Sequence, residues 1–451
     1  MAPSFRPAPL MDELVEEILL RVPPDEPACL MRAALVCKSW CRLVSGPGFR
    51  RRFLERHRTP PLLGVIHGDS PRFAPTCSFR HSHPYFPVYR TSRFSMYRIS
   101  SALDSRHGRV LLYCEPFLVL TKPPTEYLRF RIWDPVAGEV LFLPEVPRFG
   151  TKSFNAVVLC AAPGCDHLDC HQGPFLVVLV GAVDRGVFAS VYSSEANEWS
   201  KPSCARYTGF LSTHIRGTHV GNSVYFVRNC TPRILKYDLG TRKLTVIDTP
   251  PMWDHRIVLM TAKGGGLGCI TSNESRLYLW SREAGSDGNI GWAQNRVIEL
   301  KALIPDSVEM TTLGGSQVEV VSFADGSGVI YMGTYYHGSF SYDLKSGRVK
   351  KVEGVCGRDK IVPYMSFYTP VFTARVQGTL ITDLSLCMAF HQQNLKCVII
   401  DLSWEPMKQG SHCQWLLQVI VQEMVLQVHE KTQVAYENVL INQGDVCGDP
   451  K

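Results

Sequence analysis

Apolar residues recur along this chain at two different spacings, and the change from one to the other divides it. Up to about residue 58 they fall three or four positions apart. Leu10, Leu14, Ile18 and Leu19 form one stripe, and Leu30, Ala33, Ala34, Cys37, Trp40, Leu43 and Val44 continue the pattern, as short amphipathic helices do. Asp12 is the expected N-cap of a first helix running to about Arg21, with Glu16 and Glu17 in its early turns and Pro23-Pro24 as its stop. Pro27 suits the first position of a second helix, and Gly46-Pro47-Gly48 is the next stop. Helices this short enclose too little core to stand alone, so their apolar faces must be completed by a partner or by the rest of the chain.

From about residue 60 the pattern becomes short runs of Val, Leu, Tyr and Phe separated by Gly, Asp, Asn, Ser and Pro, an all-β signature. One eight-residue unit recurs, starting at Trp133, Tyr192, Tyr237 and Tyr342 and ending at Val140, Trp199, Leu244 and Val349. An aromatic closes one strand and an apolar residue opens the next. Between them Asp134, Asp238 or Asp343 can bond its own backbone, and a Gly or Asn takes a left-handed position. The widest gap between copies holds Tyr278-Leu279-Trp280-Ser281, followed by a polar insertion from Gly285 to Gly291. Counting it gives a period near the ~40 to 50 residues of propeller blades. A pair of β-sandwiches is the competing architecture. The predicted fold class is therefore α+β and multidomain: a small all-α module, an all-β propeller of about six degenerate blades, and a C-terminal amphipathic helix.

At 451 residues there is room for about two or three domains, and 45% hydrophobic with 20% charged residues is ordinary for a globular protein. The net charge of +7 is mild. Much of the excess sits in Arg50, Arg51, Arg52, Arg56 and Arg58, read as a solvated helix face in preference to a nuclear-import or nucleic-acid patch. The sixteen cysteines are scattered among long apolar segments, and Met1 to Asp12 has no apolar signal core, so a reducing compartment is expected, cytoplasmic and/or nuclear. The longest apolar run, Phe175 to Val183, is too short for a bilayer and reads as a buried strand, so no membrane role is expected.

The first sixty residues also resemble the F-box. Pro9-Leu10 stands near that motif's Leu-Pro opening with the order reversed, and Glu17-Ile18-Leu19 matches its Glu-Ile-Leu step. Val36-Cys37-Lys38-Ser39-Trp40 matches its Val-Cys-Lys-x-Trp signature, and Phe49 to Phe53 its closing helix. Further on, Asp104 to Leu112, Tyr192-Ser193-Ser194, Arg233 to Leu239 and Ser366 to Pro370 resemble the associated domain of plant F-box proteins, above all the large grass families. The resemblance implies a kelch-like propeller and a non-catalytic adaptor subunit of a Skp-cullin-F-box ubiquitin ligase. Such a subunit docks on a Skp-type adaptor, and through it a cullin-RING ligase, and presents an unknown protein substrate. The residues expected to dock are Pro9, Leu10, Leu14, Ile18, Leu19, Val36, Cys37, Trp40 and Leu43, with Trp40 as the aromatic anchor. The alternative is a ligand-binding or scaffold propeller, for a small molecule or carbohydrate, with a decayed F-box.

The predicted boundaries are 8–58 for the docking domain, 59–92 for a Pro-rich linker, 93–375 for the propeller and 376–451 for an extension with a helix over 411–441, packed on its own domain or offered to a partner groove. Searching for chemistry yields little. Cys160, Cys165, His167, Cys170 and His171 are ligand-like, but a zinc site usually joins two ligand turns and these five share one loop, so no metal is expected and reduced thiols are the preferred reading. Gly264 to Gly268 lacks the Lys-Ser or Lys-Thr of a phosphate loop. No nucleophile elbow or zinc-protease helix is present in the sequence, so neither cofactor nor catalysis is expected, and the substrate-binding residues stay unknown.

Overall fold

A computed structural model describes residues 11–68, 71–77, 97–116, 126–207, 209–229, 233–251, 256–273, 276–285, 289–300, 318–334, 338–352, 359–370, 374–376 and 379–381. Pro9, Leu10 and the helix expected over 411–441 lie outside these residues. The chain forms two compact units, Met1–Arg56 with Thr369–Lys451, and His57–Tyr368.

The helical unit is built from α1 (Asp12–Leu19), α2 (Pro27–Val36), α3 (Lys38–Ser45) and α4 (Pro47–His57). The prolines at 27 and 47 each open a helix, where the missing N–H costs nothing. The first helix begins one residue earlier than expected: Met11, with extended backbone, is its N-cap, and Asp12 is the first helical residue. The Asp12 carboxylate accepts from Ser39 Oγ at 3.1 Å instead, tying the start of α1 to the start of α3. Cys37 separates α2 from α3 in extended conformation, and its Sγ accepts from Trp40 N at 3.5 Å as the cap of α3. Val15, Leu19, Leu30, Ala33, Ala34, Cys41, Val44, Phe49, Phe53 and Leu54 are the buried core. Beyond it, β26 (Ala374–Val376) and β27 (Thr379–Ile381) form a small ribbon.

The larger unit opens with β1 (Leu62–His67) and β2 (Phe73–Pro75), followed by five antiparallel meanders. The first comprises β3 (Tyr97–Arg106), β4 (Arg109–Pro116), β5 (Tyr127–Asp134) and β6 (Glu139–Phe142), with β7 (Val146–Pro147) added beside β5. The second has β8 (Ser153–Cys160), β9 (Phe175–Val183), β10 (Gly186–Ser193) and β11 (Glu198–Trp199), with β12 (Ser203–Ala205) against β10. The third runs β13 (Thr218–Val220), β14 (Ser223–Val227), β15 (Arg233–Asp238) and β16 (Leu244–Asp248), and the fourth β17 (Ile257–Thr261), β18 (Leu267–Asn273), β19 (Arg276–Ala284) and β20 (Ile290–Glu299). The fifth is β21 (Glu319–Ala324), β22 (Val329–Thr334), β23 (Gly338–Asp343) and β24 (Val349–Val352).

The sixth sheet takes strands from both ends of the unit, since β25 (Ile361–Met365) pairs with β1 in the order β2-β1-β25. Val65 faces Pro363 and Ile66 faces Val362 across this clasp. The 59–92 segment is therefore not a plain linker: Leu63, Val65, Ile66 and Phe73 are buried, and the compact unit runs from 57 to 368 instead of from 93 to 375. The innermost strands contact one another around a ring, β25 with β3, β3 with β8, β13 with β17, β17 with β21 and β21 with β25. Asn155 of β8 joins the second sheet to the third by donating from Nδ2 to the carbonyls of Ser212 and Ile215. The result is a six-bladed propeller, and its core lies between the blades. Alternate residues of β9 show the principle: Val177 and Leu179 belong to the cluster shared with the first blade, Val178 and Val180 to that shared with the third.

The repeated unit is the outer hairpin of four blades. Its first and eighth residues pair in each: Trp133 with Val140, Tyr192 with Trp199, Tyr237 with Leu244, Tyr342 with Val349. The four leading aromatics are all buried. Asp134 Oδ1 accepts from Val136 N, Asp238 Oδ1 from Thr241 N and Asp343 Oδ1 from Lys345 N, each within 2.8 Å. The left-handed position is the sixth of the unit in every copy: Gly138, Asn197, Arg242 and Gly347. In the third copy it thus falls on Arg242 and not on Gly240, two residues before it.

Candidate functional site

Helix α1 carries apolar residues on two faces. Val15 and Leu19 point inward, Leu19 at 2% exposure, whereas Met11 and Leu14 stand out in solvent, Leu14 at 48%. Ile18 is half-buried on the outer side. Leu35 at the end of α2 is also exposed, and Val36, Cys37, Trp40 and Leu43 are half-buried. Of the residues expected to dock, Leu14 is thus an open contact, Ile18, Val36, Trp40 and Leu43 are half available, and Leu19 is a core residue. Cys37 is occupied as a helix cap. Met11 and Leu35 were missed by the sequence reading, although the spacing of Met11, Leu14 and Ile18 already marked a stripe separate from Val15 and Leu19.

Most of the arginine run of α4 is paired within the unit. Arg52 is paired with Glu16, Arg56 with Glu17 at 3.8 Å, and Arg50 Nη1 donates to Thr369 Oγ1 at 2.7 Å. Glu17 also takes Arg21 at 2.8 Å. The Arg52 and Arg56 pairs join α4 to α1 and give two of the clustered arginines a structural role.

On the propeller the loop 161–174 joins β8 to β9, and its base is closed by Ala161 N donating to Pro174 O. The ligand atoms of Cys160, Cys165, His167 and Cys170 all lie within 4.8 Å of one another. Convergence from a single loop, which the spacing argument denied, is achieved because Cys160 sits at the end of a strand, paired with Phe175, while the other three are brought back over it. His167 adopts a left-handed backbone that makes the return possible. His171 is turned aside, its Nδ1 3.0 Å from Asp169 Oδ1. Arg109 of β4 donates to the carbonyls of Cys170 and Gly173 and lies over the Phe175 ring, anchoring the loop to the first blade.

A second polar cluster lies at the inner strands. The fully buried Asp104 accepts from Arg106 Nε and Val158 N through Oδ2, each at 3.0 Å, and Arg216 Nε is 3.1 Å from its Oδ1. Arg216 reaches on to Asp325 at 3.5 Å, whose Oδ1 accepts from Thr261 N. Burial pulls the Arg216 guanidinium below its usual range, Arg106 adds to this, and the two carboxylates oppose it. With Arg106 and Val158 N bonded to its Oδ2 and the Arg216 guanidinium beside its Oδ1, Asp104 is a clamp between blades.

A family model described as F-box protein AT5G49610-like, beta-propeller, matches residues 101–372, and an F-box domain model matches residues 10–52. The chain therefore belongs to the AT5G49610-like family of F-box proteins with a β-propeller. The comparison with curated proteins found no match. Among solved structures the chain is similar to TolB from Acinetobacter baumannii (TM-score 0.35, 10% identity, covering 73% of this chain and 70% of that one). It is also similar to a functionally unknown protein from Desulfotomaculum acetoxidans (0.34, 11%, 59% and 76%). A third likeness is to a structure from a study of two prolyl endopeptidases (0.34, 10%, 71% and 54%). At these scores the likenesses carry no argument about function. Among the described residues no helix is long and apolar enough to cross a membrane.

Proposed function

We propose that this protein is the substrate-recognition subunit of a Skp-cullin-F-box type ubiquitin ligase, its helical unit docking on a Skp-type adaptor and its propeller holding a target protein. The observation that carries the reading is the outer apolar stripe of α1, Met11, Leu14 and Ile18, on a unit whose sequence matches an F-box domain. Exposed apolar residues in a row mark a partner surface. Trp40 and Leu43 extend the same chemistry at the motif that names the family.

The mechanism is proximity. Holding a target lysine beside a charged ubiquitin-conjugating enzyme raises its effective concentration, so this chain supplies position and no reacting group. The contacts of Asp104 with neighbouring blades and the pairing of Arg52 with Glu16 and Arg56 with Glu17 support a reading without catalysis or nucleic-acid binding. The plant lineage, the kelch-like type and a cytoplasmic or nuclear location belong to the same proposal, since they rest on the motif resemblance and the scattered cysteines. Co-purification tests it: the full chain, expressed with a Skp-type adaptor and a cullin, should elute with both as one complex. Elution of the folded chain free of the adaptor would overturn the assignment and return the propeller to the class of scaffold or ligand-binding proteins.

A further inference from the structure

We propose that Cys160, Cys165, His167 and Cys170 form a structural zinc site on the loop between β8 and β9. Four ligand atoms within 4.8 Å of one another is the shape of a tetrahedral donor set. With zinc–sulfur bonds of ~2.3 Å and zinc–nitrogen bonds of ~2.0 Å, the edges of such a tetrahedron are ~3.5 Å between sulfur and nitrogen and ~3.8 Å between sulfurs. The Cys170 Sγ to His167 Nδ1 separation is 3.8 Å, within a few tenths of an ångström of the sulfur–nitrogen edge. The remaining atoms need to close by about 1 Å at most to reach it.

Three thiolates with one imidazole select zinc over magnesium or calcium, which take oxygen ligands. Four protein ligands leave no open position, so the site holds structure and does not activate water. The surroundings are built to receive it. Cys160 is held by strand pairing to Phe175, and Cys170 is buried with its carbonyl bound by Arg109. The fifth candidate, His171, is occupied by Asp169 and packs its Cβ 3.1 Å from where a side chain at Gly108 would start. The metal would fasten a long surface loop to the end of β8 at a place with little apolar side chain to do so, since Leu168 is itself half-exposed.

The test uses the full chain, expressed in zinc-containing medium and purified without added metal or chelator. Elemental analysis should find about one zinc per chain. Cobalt exchanged into the protein should give the intense ligand-field bands and sulfur-to-metal charge transfer of a tetrahedral, thiolate-rich site. Replacing Cys165→Ser together with Cys170→Ser should lower the bound zinc at least ~tenfold, whereas His171→Ala and Cys204→Ser, the latter at an exposed thiol on β12, should retain it. If the double variant does not fold, the wild-type zinc content, the cobalt spectrum and the His171→Ala variant still decide. Less than about a tenth of a zinc per folded chain, a disulfide among Cys160, Cys165 and Cys170, or full zinc in the double variant would each overturn the proposal.

Discussion

In the propeller a strand has both faces covered: Val177 and Leu179 of β9 are buried toward one blade, Val178 and Val180 toward the next. In the helical unit α1 has one face covered, by Val15 and Leu19, and leaves Met11 and Leu14 in solvent. The same difference holds for charge. Asp104 and Arg216 are withdrawn from water at the inner strands, whereas Glu16, Glu17, Arg52 and Arg56 pair at the surface of the helices. A ring of sheets completes itself because each blade is its neighbour's partner, and a small bundle of short helices cannot do so. What is left uncovered on the bundle is thus the place to look for an external partner, and the propeller's interior is a place to look for stability alone.

The largest expected effect concerns the ring's closure. A fragment beginning at Thr91 lacks β1 and β2 and should fail to show a cooperative thermal transition by circular dichroism, while one spanning His57 to Tyr368 should melt as a unit. Equal melting of the two would mean that the clasp contributes nothing. Next, Asp104→Ala should lower propeller stability by roughly 3 to 5 kcal/mol in urea unfolding, since it removes the nearer carboxylate from the buried Arg216 and leaves only the 3.5 Å contact with Asp325. A loss below about 1 kcal/mol would place that cluster in contact with solvent.

The contrast between Leu14 and Leu19 sharpens the comparison within one helix. Leu14→Ala and Trp40→Ala should each weaken titrated binding of a Skp-type adaptor by about 2 kcal/mol or more while leaving propeller melting unchanged. Leu19→Ala should instead unfold the helical unit more readily, by ~2 to 5 kcal/mol. Identical adaptor affinity in Leu14→Ala, Trp40→Ala and wild type would sink the docking face. Acid gives a smaller, distributed signal. Burial holds His67 and His219 below their usual range, which disfavours their charged forms in the fold, so their contribution is present above about pH 6.5 and is lost as pH falls below it. The propeller's melting temperature should therefore drop between pH 7 and pH 5, and substituting both histidines with Gln should reduce that slope, the rest coming from His107, which burial and the neighbouring His167 push down to about 3. The smallest effect is at the outer hairpins: Arg242→Gly relieves a left-handed backbone and should raise stability by about 1 kcal/mol or less.

How much of this was readable along the chain depended on how local each feature is. The outer hairpins were visible because aromatic, Asp and left-handed residue sit within eight positions, and only the choice between Gly240 and Arg242 needed the structure. Pro27 and the Val36 to Trp40 motif were likewise local signals. The strand Leu62–His67 was hidden because its partner, Ile361–Met365, lies at the other end of the unit, and prolines around it made a short apolar run look like linker. The convergence of Cys160 with Cys170 was hidden for a related reason: a strand end, invisible in a spacing rule, supplies the fourth corner.

The clasp between β1 and β25 also sets an order of events during synthesis. At roughly 5 to 20 residues per second, Ile361 follows His67 out of the ribosome only after tens of seconds, and until then β1 is an apolar edge without its partner. The helices are finished before that wait begins. A nascent chain therefore carries finished helices while its ring is still open, and a transcript truncated before residue 361 yields a protein with an unsealed apolar edge. Translation itself thus sets the point of closure: only a chain read through to β25 has both its helices and a sealed ring.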